Sequence, residues 1–455
     1  MAKMSPLRAI AMGVVSMQYG PALSVYGAYV MIYSPKTPGL TILITVVLML
    51  GVAKVITFFA HRHVGSGGIL TYIARDSGRR TPAYLATAGL FSGYVAVLGS
   101  TVTATSVFVT GVLYNLGVKG AAGEHWQLVI LVLIAVCTTA VCHRGLEASF
   151  WVAATLGLAC VPVVVWVMIQ YSVKHGVHFA PLYSLSGFDL TSTLLGVVFL
   201  SSAFIGFDAL ATLASDTEEP RRNVPRILNA VVLAGVPVLV LSLLVESPIA
   251  NTDAFAAGDT VSSIMAKQGG VGWMAIPVDV LISASMIAAA VAFQSFAGRF
   301  FATMGSVGLL PRGLSVVDPQ RGTPKRANLV AGALSLAIPV ATAMLLHGSP
   351  ADATVYLGAA IGYSWGYAYI VVALVAVVVV ARRARNHWPV AVAGALAAAG
   401  FIAFEANGLR DGFKTADSTQ SWICAGAVVL LAAGFLLVRK IRGTEIDLTA
   451  IDDVE

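Results

Sequence analysis

The chain alternates long apolar runs with short polar punctuation. Twelve such runs occur, over residues 11–33, 40–60, 82–114, 127–142, 149–173, 191–215, 227–250, 274–305, 328–346, 353–381, 389–404 and 421–438. Within each run the apolar residues are nearly continuous rather than confined to one stripe, so each predicts a helix buried on every side, in lipid or against neighbours. A bilayer core takes roughly 20 such residues per crossing. The longest polar stretches, 306–327 and 61–81, are too short for a soluble domain. The pattern predicts an all-α integral membrane protein of about 12 transmembrane helices.

Composition agrees: 58% of residues are hydrophobic, 11% are charged and the mean hydropathy is +0.84. Soluble domains carry roughly 25% charged residues, so too little charge is present here to build a water-facing surface. With the N-terminus inside, 21 of the 28 Lys and Arg residues fall on the cytoplasmic side, six on the outer side, and Lys54 within a helix. That bias follows the positive-inside rule in one orientation. It predicts a multi-pass protein of the cytoplasmic (cell) membrane with both termini cytoplasmic, and accounts for the net charge of +6 without a nucleic-acid partner. The basic start (Lys3, Arg8) leads into an apolar run too long for a secretory leader, and no leader is expected. The tail 439–455 turns from basic to acidic and reads as solvated.

Catalytic chemistry finds no foothold. Cys137, Cys142, Cys160 and Cys424 lie in or beside apolar runs without metal-ligand spacing, and the eight histidines lie in or next to loops. No metal, cofactor or enzymatic role is expected.

The chemistry sits where helices should break. Backbone groups cannot go unpaired in hydrocarbon, so an interrupted helix must turn its free donors and acceptors into protein or a wet cavity. The first run carries Tyr19-Gly20-Pro21-Ala22-Leu23-Ser24 near its middle, which predicts either a break or a simple proline kink. The sixth carries Phe204-Ile205-Gly206-Phe207-Asp208. An Asp that deep costs roughly 2.5–3.5 kcal/mol and is a functional candidate, the alternative being a neutral packing Asp. The two sites lie five helices apart, as an inverted repeat requires, and half-helix N-termini converging there suit a carboxylate. Opposing carbonyls, with Asp208, suit an ammonium group or a proton. Lys54 is expected to snorkel, and Asp279 to lie close enough to the surface to be solvated.

At these residues the chain resembles the amino acid, polyamine and organocation (APC) permeases, over its first ten helices. Phe204 to Asp208 is similar to the sixth-helix motif of that family, in which an acid, usually Glu, follows Phe-x-Gly and one more residue. The following Asp216-Thr217-Glu218-Glu219-Pro220-Arg221-Arg222-Asn223-Val224-Pro225-Arg226 resembles its acidic loop with Pro-Arg-Arg-Asn-x-Pro. Weaker matches are Gly65-Ser66-Gly67-Gly68-Ile69-Leu70-Thr71-Tyr72, the stretch Ala297 to Met304 with Gly308-Leu309-Leu310-Pro311, and Gly20-Pro21-Ala22, which matches a subgroup.

The resemblance implies a leucine-transporter-type fold. A cytoplasmic N-terminus (1–10) precedes a core (11–381) of two five-helix inverted repeats, 11–173 and 191–381; two further helices (382–438) and a cytoplasmic tail (439–455) follow. It implies a secondary transporter, symporter or exchanger, of amino acids or related amines. Substrate would bind at Tyr19, Gly20, Pro21, Ala22, Leu23, Ser24, Phe204, Ile205, Gly206 and Phe207, with Phe204 or Phe207 as an aromatic gate. Some proton-coupled relatives carry a fifth-helix lysine; run 149–173 has no Lys or Arg, so Asp208 is the candidate proton carrier, with sodium as the other candidate ion. A Glu218/Glu219 gate with the loop arginines is a sharper idea, and a sensor or scaffold that keeps the fold without transporting is the competing function.

Overall fold

The computed structural model describes residues 5–442 apart from 64, 66, 78, 79, 122, 186, 257, 258 and 347. Expectations that fall on Lys3, Ser66, His347 and the acidic tail lie outside the described residues. The described elements are helices. Ten are long and apolar enough to cross a membrane: α4 (Pro38–Arg62), α6 (Arg80–Asn115), α7 (Glu124–Arg144), α8 (Leu146–His175), α11 (Pro220–Glu246), α14 (Ala275–Ser306), α15 (Lys325–Leu346), α16 (Pro350–Arg383), α17 (Trp388–Leu409) and α18 (Ala416–Arg442). The first and sixth apolar runs do not form continuous helices, which is why the continuous spans number ten and not twelve.

Run one is divided into α1 (Pro6–Ser16), α2 (Tyr19–Ala22) and α3 (Tyr26–Tyr33). Pro21 has no N–H, and its ring would strike the carbonyl four residues earlier, at Met17. The chain yields there: Gln18 takes φ 53°, a left-handed conformation rare for a residue with a side chain. Run six is α10 (Leu190–Ser201), a turn over 202–206, and a 3-10 helix over Phe207–Asp216. Gly206 supplies the turn with φ 96°, and a Cβ there would also press on the Phe293 ring.

The short elements complete the rims. α5 (Ile69–Asp76), α9 (Ala180–Tyr183), α12 (Asp253–Ala256) and α13 (Val261–Gln268) join the spans. Arg62, Arg80, Arg144, Arg382 and Arg383 mark one rim, at the starts or ends of α4, α6, α7 and α16. On this basic rim Gly68, at φ 52°, lets α5 tuck under the 3-10 helix beside Ala211. Asp76 closes α5: Arg62 donates from Nε at 3.1 Å and Nη2 at 3.0 Å, and His63 Nε2 lies 3.1 Å away.

Inside the bundle, α6 and α16 share the most extensive interface. At the periphery, only 33% of the most apolar stretch of α7 and 22% of that of α15 is buried within the protein. Lys54 is exposed on α4, as a snorkelling side chain requires. Asp279 corrects the expectation of solvation: it is 2% exposed, accepting hydrogen bonds from the Thr260 and Ser262 hydroxyls.

Two outcomes test this packing. A Cβ on Gly20 would overlap Cys160 Sγ, whereas the next contacts, Val161 Cγ2 at 3.5 Å and Cys160 Cβ at 3.8 Å, are ordinary. Gly20→Ala should therefore cost about 1–3 kcal/mol, and Cys160→Ala in the same chain should restore most of it; thermal midpoints of the two variants, measured in detergent, check the rescue. Burial alone would raise the Asp76 carboxyl, but the contacts of His63 and Arg62 outweigh it and hold it below the usual carboxylate range. A lowered folded value gives stability that is present above the unfolded value near about 3.9 and lost as pH falls through the folded one. The midpoint difference between wild type and Asp76→Asn should thus be full above about pH 5, shrink below about pH 4 and close only once pH has fallen through the lowered folded value.

Candidate functional site

The two interrupted segments meet. Tyr26 Oη, at the start of α3, lies 3.3 Å from Ser202 Oγ in the break after α10, within hydrogen-bond reach. Beside this bridge is a cavity of ≈ 120 Å³. Its polar lining comes from Ser16 and Gln18 of the first break, Tyr26, Ser100 and Thr101 of α6, and Ser202; Met17, Ile205 and Phe293 are among its apolar lining. The cavity thus faces residues 16–18 rather than 19–24. The reason is the proline: it disturbs the carbonyl one turn before it, not its own position.

Of the residues predicted from sequence, Ile205 lines this cavity and Ser24 lines a larger space further along α6. That vestibule, ≈ 620 Å³, lies on Val107 to Asn115 of α6, Val25 and Tyr29 of α3, and Asp259 and Asp279, away from the basic rim. Tyr19, Gly20, Pro21 and Ala22 form one buried helical turn. Tyr19 Oη donates to the Val231 carbonyl at 2.7 Å, and Leu23 is buried at the end of this turn. Phe204 packs its ring against Gly235 of α11, and Phe207 lies 6.3 Å from the Tyr369 ring. The aromatic rings that line the cavity are instead Tyr26 and Phe293.

Asp208 stands behind the cavity in a closed aromatic box. Trp365 Nε1 donates to its two oxygens at 3.1 and 3.3 Å, and Tyr369 Oη donates at 2.7 Å. The Gly206 N–H donates to Tyr369 Oη at 3.5 Å, so the loosened turn reaches the carboxylate through one hydroxyl. Tyr94 tilts against Trp365 with centroids 5.0 Å apart, and Gly93 leaves room for the indole. Charge-assisted bonds in such a water-poor site are stronger than neutral ones. The Glu219 carboxylate pairs with Arg222 of its own turn at 3.3 Å, both side chains exposed, rather than bridging to another element.

Two buried carboxylates escaped the sequence reading. Glu246, at the end of α11, is 0% exposed; its Oε2 accepts from the N–H groups of Gly27 and Ala28 at 3.0 and 3.3 Å and from Ser242 Oγ at 2.9 Å. It therefore caps the N-terminus of α3, where orphan N–H groups and the helix dipole favour an anion. Glu405 of α17 lies 4% exposed against Gly366 of α16. Both were visible as acids within or just beyond apolar runs. What sequence could not show was which helix end Glu246 faces.

The cap gives a measurable outcome. Glu246→Ala strands the Ala28 amide and the Ser242 hydroxyl, while the Gly27 N–H keeps Ser242 Oγ at 2.6 Å, and should cost about 1.5–3 kcal/mol; Glu246→Gln keeps an acceptor oxygen and should cost less. Thermal midpoints in detergent decide it, and equal loss in the two variants would contradict the cap.

The amino acid permease family matches residues 4–434. An uncharacterised transporter of Mycobacterium tuberculosis is 27% identical over 288 residues, 61% of this chain and 60% of that protein. A branched-chain amino acid permease of Bacillus subtilis is 27% identical over 150 residues, 33% of this chain and 32% of its own. The chloroplastic cationic amino acid transporter 7 of Arabidopsis thaliana is 22% identical over 296 residues, 61% of this chain and 50% of its own. The chain thus spans at most about three-fifths of the length of these relatives. With ten helices among the described residues long and apolar enough to cross a membrane, two facing helix breaks and a family match over nearly its whole length, the chain belongs to the amino acid permease family, within the APC superfamily.

Proposed function

We propose that the protein is a proton-coupled secondary transporter of amino acids or related amines in the cell membrane, with both termini cytoplasmic and two five-helix repeats, 11–173 and 191–381. The observation that carries this reading is the polar cavity between the two broken segments, bridged by Tyr26 and Ser202. Such breaks in corresponding halves are where transporters of this architecture bind solute. The family, and the amino acids in the names of two relatives, support the substrate class.

Recognition starts from what the breaks leave available. The Met17 carbonyl cannot receive a helical bond from Pro21, and with the carbonyl of Ile205 it offers an acceptor for a substrate ammonium. The hydroxyls of Ser16, Thr101 and Ser202 already donate to the carbonyls of Gly13, Val97 and Phe199, so the substrate's carboxylate, where present, meets only the Ser100 hydroxyl and the Gln18 amide. Glu246 already holds the N–H groups of Gly27 and Ala28, so α3 offers a second anion repulsion there rather than a cradle. A substrate without a carboxylate therefore loses little, which favours acceptance of amines.

Coupling runs through Asp208. A proton arriving there replaces acceptor capacity with a donor, so the bonds from Tyr369 and Trp365 must rearrange, and Tyr369 also holds the Gly206 N–H. Protonation is in this way linked to the turn that carries Ile205 into the cavity.

Uptake of a labelled panel of amino acids and amines into proteoliposomes, with and without an imposed proton gradient, tests the proposal. Ser202→Phe should fill the cavity and lower uptake about tenfold or more, and Asp208→Asn should abolish accumulation driven by the gradient. Binding without uptake would favour the sensor, uptake driven by sodium alone would end the proton assignment, and full uptake by Ser202→Phe would remove the site.

A further inference from the structure

A groove of ≈ 660 Å³ runs between the outward faces of α7 and α15. Small residues make it concave: Ala135 and Ala140 on one wall, Gly332 and Ala333 on the other. Thr139 packs against Gly332, leaving no room there for a Cβ. Both helices turn most of their apolar surface away from the protein. In a chain that spans a membrane, the solvent along such a furrow is lipid hydrocarbon.

The mouth of the groove is different. Arg144 is the last residue of α7, Arg321 lies in the loop before α15, and both line the groove with His143. Helix ends lie at the headgroup level. Arg321 Nη1 donates to the His143 carbonyl at 3.2 Å, which fixes the guanidinium at the mouth while its other N–H groups remain. His143 Nδ1 has no hydrogen-bond partner in the protein.

Both arginines are exposed, and neither forms an ion pair with a carboxylate among the described residues. The acid of the same loop, Asp318, is already engaged: it pairs with Lys325 and accepts from the N–H groups of Gln320 and Arg321. The Lys325 contact above all holds its carboxyl down to about 2. Among the described residues, two cations thus stand without an ion-pair partner at the end of an apolar furrow.

We propose that this groove binds a phospholipid with an anionic headgroup, one acyl chain lying between α7 and α15 and the phosphate held by Arg144 and Arg321. Guanidinium groups match phosphate oxygens with paired N–H donors. Charge complementarity selects the headgroup: a choline would bring a third cation to the mouth, whereas a glycerol headgroup leaves the phosphate charge unopposed. The site is separate from the central cavity and its occupancy does not depend on transport.

Native mass spectrometry of the full chain in detergent, titrated with phosphatidylglycerol or phosphatidylcholine, reads the site directly. Wild type should retain phosphatidylglycerol on the order of tenfold better than phosphatidylcholine, following the attraction of about two basic residues for an acidic lipid. Arg144→Gln with Arg321→Gln should abolish that preference, while the same loss of charge at Arg382→Gln with Arg383→Gln should leave it intact. Ala333→Phe, at an exposed position of the furrow, should remove retention without changing charge. Equal retention of both lipids by wild type would overturn the proposal, as would undiminished binding by the Arg144/Arg321 variant. A dimer that Ala333→Phe dissociates would assign the groove to a second copy of the chain instead.

Discussion

Unpaired backbone groups are intolerable in hydrocarbon, and that constraint organises this protein around its two broken helices. Each interruption frees donors and acceptors that must be met by protein or a wet cavity. Near the first break, Glu246 and Ser242 take the N–H groups that open α3, and Tyr19 ties its turn to the Val231 carbonyl. At the second, Tyr369 takes the Gly206 N–H. The groups left between these repairs line the cavity.

The repairs also tie distant helices to the breaks. Tyr369 and Trp365 place α16 against Asp208, so the most extensive interface in the bundle, α6 with α16, stands behind the carboxylate. Glu246 places α11 against α3. A change of charge at either acid is felt by a helix break directly, because the same side chain or its immediate partner holds the backbone. The proposed coupling of a proton to the shape of the cavity rests on that contact.

Close backbone approach makes these contacts reachable. Gly27 sits on the carbonyl of Ser242, where a side chain would force α3 off α11 and out of reach of Glu246. Gly93 does the same for the Trp365 indole, and Gly20 for the Cys160 thiol. Without a hydrophobic driving force between helices in lipid, small residues at contacts supply the packing that holds them.

The sequence by itself determined the membrane class, the apolar spans, the basic loops and two candidate interruptions near Pro21 and Gly206, the first open between a break and a proline kink, because run length, charge bias and the missing proline N–H act locally. It also singled out Asp208, since a carboxylate inside an apolar run is costly wherever it sits. Tertiary structure alone decided that the first cavity wall is Ser16 to Gln18, that Phe204 and Tyr19 pack on Gly235 and α11, and that Asp279 is buried. It also decided that Glu246 serves a helix 219 residues away in the chain. Those outcomes depend on which helices become neighbours, and side-chain reach across a bundle leaves no trace in local pattern.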